Sequence, residues 1–329
     1  MRDTRTDDRL QRGQTPYRRR TLEIRITRQK RSKDSRVNST DFTRRWRSGA
    51  ATPSDPAWSD ACHLEDLALL YTGFTDYTQA LDLDEQWPLR WSSTWKFSQT
   101  PITISVRDMD KVDLRRTVPV RRFTWRTDQF HRPGLEYLMA TDRHHGFESH
   151  EEERLLLVAD FAAGLMEALC QPFRLRFLSG GKTIGHTPDF LLVTDSGLFL
   201  IDVRPADRIK PEDALKFAAT AEAALSAGWQ YGVVAGWRQH VWTNVDALSA
   251  ERRPLPDVLG IQGQLREAAA HGPLPFGELV ERCPIPAIGR AHAIHLLWHR
   301  HLGVDLSGPF GDASLVRLAP QQHHRELSR

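Results

Sequence analysis

The sequence predicts a mixed α/β fold, a sheet with helices on its faces, followed by a small C-terminal domain of helices and a hairpin. Three observations carry this expectation. From Ser149 onward the periodicity runs helix, three strands, helix, strand; Gly and Pro mark the joints; and beyond residue 255 the pattern changes to short helices around a glycine-rich hairpin.

The chain of 329 residues is divided by composition. Residues 1–50 hold 16 Lys or Arg against 6 Asp or Glu, a local charge of +10, so a total of +3 leaves −7 on the rest. Such an arm is compatible with DNA, RNA or an acidic protein surface, but a disordered, solubilising leader is the favoured expectation. Residues 51–115 begin with the opposite charge bias and give a short helix from about Cys62 to Tyr71. Trp87, Trp91 and Trp95 follow at four-residue intervals, where Pro88 opposes a regular helix, so packing onto the next domain is favoured over a stacking platform for bases. Residues 116–254 form the expected core, 255–320 the C-terminal domain and 321–329 a tail. Three widely spaced cysteines, Cys62, Cys170 and Cys283, suggest neither a disulfide framework nor a zinc pair. With no apolar h-region and no long apolar span, a cytoplasmic location without membrane contact is expected.

Within the core, Ser149 precedes a helix from about His150 to Ala163, with Glu152 at the fourth position of a Ser-x-x-Glu box. Phe173, Leu175 and Phe177 alternate with Arg174 and Arg176 as a half-buried strand does. A turn at Ser179–Gly181 leads to a strand from Thr183 through Asp189 to Val193, and a second turn to Leu198–Val203. Period two puts Asp202 and Arg204 on one face and Ile201 and Val203 on the other. Pro211 with Glu212 and Asp213 starts a helix to about Ala227, Gly228 stops it, and Tyr231, Val233 and Val234 form the last strand.

Asp189 and Asp202 thus lie at the ends of adjacent apolar strands, where a carboxylate facing the core is costly unless paired or metal-bound. Glu152 offers a third carboxylate and the Val203 carbonyl a neutral oxygen, a donor set suited to Mg2+, with Mn2+ as a substitute. The alternative is a capping glutamate with two acids in surface turns.

The run GHTPDFLLVTDSGLFLIDVR from Gly185 to Arg204 resembles the PD-(D/E)XK motif of the restriction-endonuclease-like superfamily. GFESHEEERLLLVADF from Gly146, QPF at Gln171–Phe173, VRRFTW near Val120 and GWQYGVVAGW near Gly228 extend the similarity to TnsA-like endonuclease subunits of heteromeric transposases, in particular their actinobacterial branch. The resemblance covers roughly the last two thirds of the chain. It implies a restriction-endonuclease-like core with Glu152, Asp189 and Asp202 as catalytic metal ligands. It also implies double-stranded DNA cut at the 5′ ends of a transposon, an RNase H-like recombinase partner and an ATPase regulator. A stand-alone restriction or defence nuclease is one alternative, and a catalytically weakened DNA-binding assembly subunit is another.

Arg204 stands where the motif usually has lysine. Arginine stays protonated, so it is expected to hold a phosphate or the nucleophile electrostatically. Lys182, Lys210, Lys216, Arg282, Arg290 and Arg300 are candidate phosphate contacts, with Lys210 or Lys216 a possible compensation at the lysine position. His144 and His145 and the cluster His292, His295, His299 and His301 do not form a zinc motif; a packed helix with solvated histidine tips is expected. In the C-terminal domain, Phe276, Leu279 and Val280 suggest one helix and Pro286–Arg300 another, packed through Ile288, Ala291, Ile294, His295 and Trp298. A hairpin of Val304–Leu306 with Ser314–Leu318 completes a winged-helix-like pattern, expected to dock a partner with some phosphate contact.

Overall fold

The computed structural model describes residues 55–121, 133–162 and 164–320. The arm over 1–50 and the tail over 321–329 lie outside the described residues. In chain order, α1 (Leu64–Leu67) leads into β1 (Ala68–Leu70), then α2 (Trp87–Arg90), β2 (Ser92–Phe97), β3 (Thr100–Ser105), β4 (Thr117–Val118), β5 (Gly134–Leu138) and β6 (Arg143–Phe147). The central stretch is α3 (His150–Ala162), β7 (Leu165–Cys170), β8 (Phe173–Ser179), β9 (Lys182–His186), β10 (Phe190–Thr194), β11 (Gly197–Val203), α4 (Pro211–Ala227) and β12 (Gln230–Trp237). The last elements are α5 (Val241–Ser249), α6 (Ile261–Ala270), β13 (Leu274–Pro275), α7 (Phe276–Glu281), α8 (Pro286–Trp298), β14 (Leu302–Val304) and β15 (Leu315–Leu318).

The fold is mixed α/β. A five-stranded sheet is ordered β1-β12-β11-β10-β7, with β11 and β12 parallel across the α4 crossover and the other pairs antiparallel. Both faces are covered, which is why β10 is buried along its whole length and apolar from Phe190 to Val193. Phe190, Leu192, Phe199 and Ile201 face the α3 side, while Leu191, Leu200, Tyr231 and Val233 face α4. A second sheet, β3-β2-β8-β9 with β4 beside β2, closes over the α4 side. Its inward residues Trp95, Phe173, Leu175 and Phe177 are fully buried there.

Several expectations need correction. The helix expected over Cys62–Tyr71 is the single turn α1, because Ala68–Leu70 pairs with β12 as an edge strand. The expected strand Thr183–Val193 is two strands in different sheets, β9 and β10, divided at Thr187, Pro188 and Asp189. Strand β7 was not anticipated, since LMEALC lacks a two-residue alternation. Trp91 and Trp95 are fully buried in the packing between the sheets, as expected of packing residues. Residues between 55 and 121 contribute strands to both large sheets.

At the C-terminal end, β13-β15-β14 form an antiparallel sheet against α6, α7 and α8. Helix α8 is turned relative to expectation: Ile288 is exposed, and Gly289, His292, Ala293, Leu296 and Leu297 join His295 and Trp298 on the buried side. The apolar residues of α8 share one cluster with those of α3. Gly303 in β14 lies so close to Asp60 that an added Cβ would sit 2.2 Å from Oδ1, and that carboxylate is held by Arg317 at 3.0 Å.

Candidate active site

In the β10–β11 ladder Phe190 pairs with Ile201, so Asp189 and Asp202 come opposite each other one step beyond it. On the other side the Gln171 amide donates to the Asp189 carbonyl at 2.7 Å, continuing the β7 register. The Asp189 Oδ2 accepts the Val203 amide at 2.8 Å. A residue's N–H and C=O face the same neighbour in an antiparallel pair, so the Val203 carbonyl is directed to the Asp189 side.

Asp202 is 1% exposed, as the strand period requires of a residue sharing the Leu200 face. Both its oxygens are engaged: Tyr231 Oη donates to Oδ2 at 2.7 Å and His186 Nε2 lies 2.8 Å from Oδ1. The wet polar edge expected here is a buried acid with two side-chain partners. Glu152, in the first turn of α3, is 9% exposed. Its Oε2 accepts the Glu148 amide at 2.8 Å, its Oε1 accepts Ser149 Oγ at 3.1 Å, and its own amide donates to Ser149 Oγ at 3.3 Å. The cap therefore forms, reaching the backbone of Glu148 where that of Ser149 was expected.

The acids nevertheless act on one another. Burial pushes Glu152 up to about 7, against the hydrogen bonds from Glu148 and Ser149 that pull it down. Asp189 is pushed well above the ordinary carboxylate range by burial, then by the charges of Glu152 and Asp202. Arg121, 3.2 Å from Glu148, lowers both groups in the opposite sense. Arg121, Glu148, His186 and Tyr231 were not singled out as site residues from sequence, although all four fall inside the motif runs; their common place arises from four separate elements or loops.

Among the described residues, no group of three or more His, Cys, Asp or Glu side chains is arranged to hold a metal ion. The reason is visible in the contacts: Asp202 and Glu152 direct their oxygens at protein donors. The chemistry of the donors nonetheless fits a hard cation, since these are oxygens whose mutual repulsion a positive ion would relieve. Gln171 adds a buried Oε1 without a hydrogen-bond partner among the described residues, on a backbone with φ +44°. None of the three acids lines the open cleft of about 320 Å³ at the carboxyl ends of β11 and β12, whose walls include Glu151, Pro205, Trp237, His240 and Trp242.

The remaining candidates are more dispersed. Arg204 is half exposed, 3.5 Å from Asp213 and bonded to the Arg208 carbonyl at 3.3 Å. Lys216 also lies 3.5 Å from Asp213, and the exposed Lys210 is the N-cap of α4. Lys182 begins β9, at the opposite end of that strand from His186. Arg282 pairs with Glu278 and Arg290 with Asp312, each at 2.6 Å. Arg300 is committed to structure, donating to the carbonyls of Ala162 and Cys62. The α8 histidine tips are not uniformly solvated: His292 and His295 are buried, and His295 Nδ1 donates to the Glu251 carbonyl at 2.8 Å. Neither models of protein families nor curated proteins match the chain.

Proposed function

We propose that this chain is a metal-dependent DNA endonuclease of the PD-(D/E)XK kind, a TnsA-like subunit cutting strands at the 5′ ends of a transposon. The observation that supports this most is the placement of Asp189 opposite Asp202 at the end of the β10–β11 pair, with Glu152 close enough to raise the proton affinity of Asp189. Glu152, Asp189, Asp202 and the Val203 carbonyl would hold Mg2+ or Mn2+. When bound, such an ion polarises a phosphate and acidifies water. The protein's own part is to supply concentrated negative charge for the ion and fixed cations for the substrate. Arg204, always protonated, contributes charge to the phosphate and no proton exchange. Arg121 is a second cation at the acidic cluster.

The reading includes a restriction-endonuclease-like core and a winged-helix-like role for β13–β15 with α6–α8. Its partners are an RNase H-like recombinase and an ATPase regulator, in a bacterial cytoplasm. One observation favours a second reading, a catalytically weakened DNA-binding subunit: Arg204 replaces the motif lysine and interacts with Asp213. Strand cleavage of transposon-end DNA, with each partner omitted in turn, separates the two. Mg2+ or Mn2+ should restore cutting to a complex that only binds DNA in Ca2+, and Asp189→Asn should reduce cutting by about a hundredfold or more. Near-normal cutting by a folded Asp189→Asn protein would defeat the site assignment. No cutting by the complete complex would favour the weakened subunit.

A further inference from the structure

The second sheet has an unusual charge distribution. Its strands β2, β3, β4, β8 and β9 contain Lys96, Arg174, Arg176 and Lys182, and not one Asp or Glu. The inward face is apolar, so the alternation of β8 puts Arg174 and Arg176 outward, both exposed. Arg174 lies opposite Thr94 and Arg176 opposite Ser92 on β2, while Arg176 faces Gly185 on β9. The Arg174 guanidinium lies beside Gly185, where its Nε and a terminal nitrogen are each 3.4 Å from the place a Cβ would take. Among the described residues none of these four cations has an ion pair, whereas Arg90, Lys111 and Arg115 elsewhere in this part of the chain each have an aspartate. Thr94 and Thr103 bond each other at 2.8 Å through their hydroxyls, adding neutral polar surface between β2 and β3.

We infer that the outward face of this sheet is a docking surface for the phosphate backbone of duplex DNA, with Arg174 and Arg176 as its central contacts. Charge complementarity selects a polyanion: a set of strands without a carboxylate repels none of its phosphates, and residues two apart on a strand project on one face about 7 Å apart. The position selects the substrate of the proposed nuclease, on which this inference rests. β9 ends at His186 against Asp202, and β8 begins beside Gln171, which is bonded to Asp189. The ends of β8 and β9 nearest Arg174 therefore adjoin the acidic cluster, which His186 reaches from the inward face beside Phe217. Contacts from a strand to phosphates position DNA without reading its bases.

The test is binding of the full chain to a short labelled duplex in Ca2+, followed across a salt series. Arg174→Ser with Arg176→Ser should weaken binding by about tenfold or more and reduce the log–log salt slope by about 2, since each phosphate contact contributes roughly 0.9. Thr94→Glu, which puts a carboxylate opposite Arg174, should weaken binding while both arginines remain. Arg115→Ser, removing a cation already paired with Asp113, should change little. An unchanged slope in folded double-variant protein overturns the proposal. So does a loss confined to binding of polyglutamate or single-stranded RNA with duplex binding intact. The nuclease reading fails separately: variant-sensitive binding without any Mg2+-dependent cutting would leave the docking surface standing and remove the enzyme.

Discussion

Glu152 shows how one side chain can serve a helix and a charged site together. It accepts hydrogen bonds from Glu148 and Ser149, yet burial pushes its proton affinity up to about 7. The folded carboxyl keeps its proton to a higher pH than the unfolded one, whose ordinary value is 4.5. Its contribution to stability is thus present below that value and is lost as pH rises through about 7. A shift of that size corresponds to on the order of 3 kcal/mol. In metal-free buffer, Glu152→Gln should flatten the fall in urea midpoint between about pH 5 and about pH 8. Asp189, shifted in the same direction, should leave some slope behind. An identical fall in both proteins would show that Glu152 is not buried as an acid. Glu152, Asp189 and Asp202 were picked out from capping spacing, apolar strands and the resemblance of the surrounding runs, while the division of the strand at Asp189 was not read. His186 and Arg121 were not legible as site residues, since nothing near either one in the chain reveals the acid it meets.

At the scale of elements, the strands read best were β8, with alternating apolar residues before a glycine turn, and β11, a continuous apolar run opened by one. Pattern reading failed where partners are remote. β2 joins β8 across about eighty residues of chain, with Ser93 opposite Leu175, and no local periodicity encodes that pairing. In β14 the decisive feature is a side chain that is missing. Gly303 permits the approach of Asp60, which is buried and fixed by Arg317, so Gly303→Ala has little room to relax. It should destabilise the protein by on the order of 2–3 kcal/mol, read from denaturant midpoints. A loss below about 0.5 kcal/mol, the ordinary range for surface changes, would mean that β14 can move away from Asp60.

For the molecule, the apolar residues of α3 and of the C-terminal helices belong to one buried cluster, with Phe161 and Trp298 rings 5.2 Å apart. Arg300 reinforces the junction by bonding carbonyls at Ala162 and Cys62. The core sheet and the C-terminal elements should consequently unfold in one transition, with tryptophan fluorescence and far-ultraviolet circular dichroism giving the same midpoint. Two separated transitions, with Trp298→Ala moving only one, would show that the shared packing does not couple them.

The margins of the five-stranded sheet carry a different consequence. On one side lies β1, only three residues long and irregular in register between Leu69 and Leu70. On the other, the Ala168 carbonyl of β7 accepts the His145 ring at 2.8 Å. Long, flat margins with open amides and carbonyls are templates on which another chain can add a strand. Here one margin is too short and too uneven for that, and the other has an acceptor already occupied. At high local concentration the protein is thereby less prone to join other copies through its main chain, leaving side-chain surfaces to decide how copies meet.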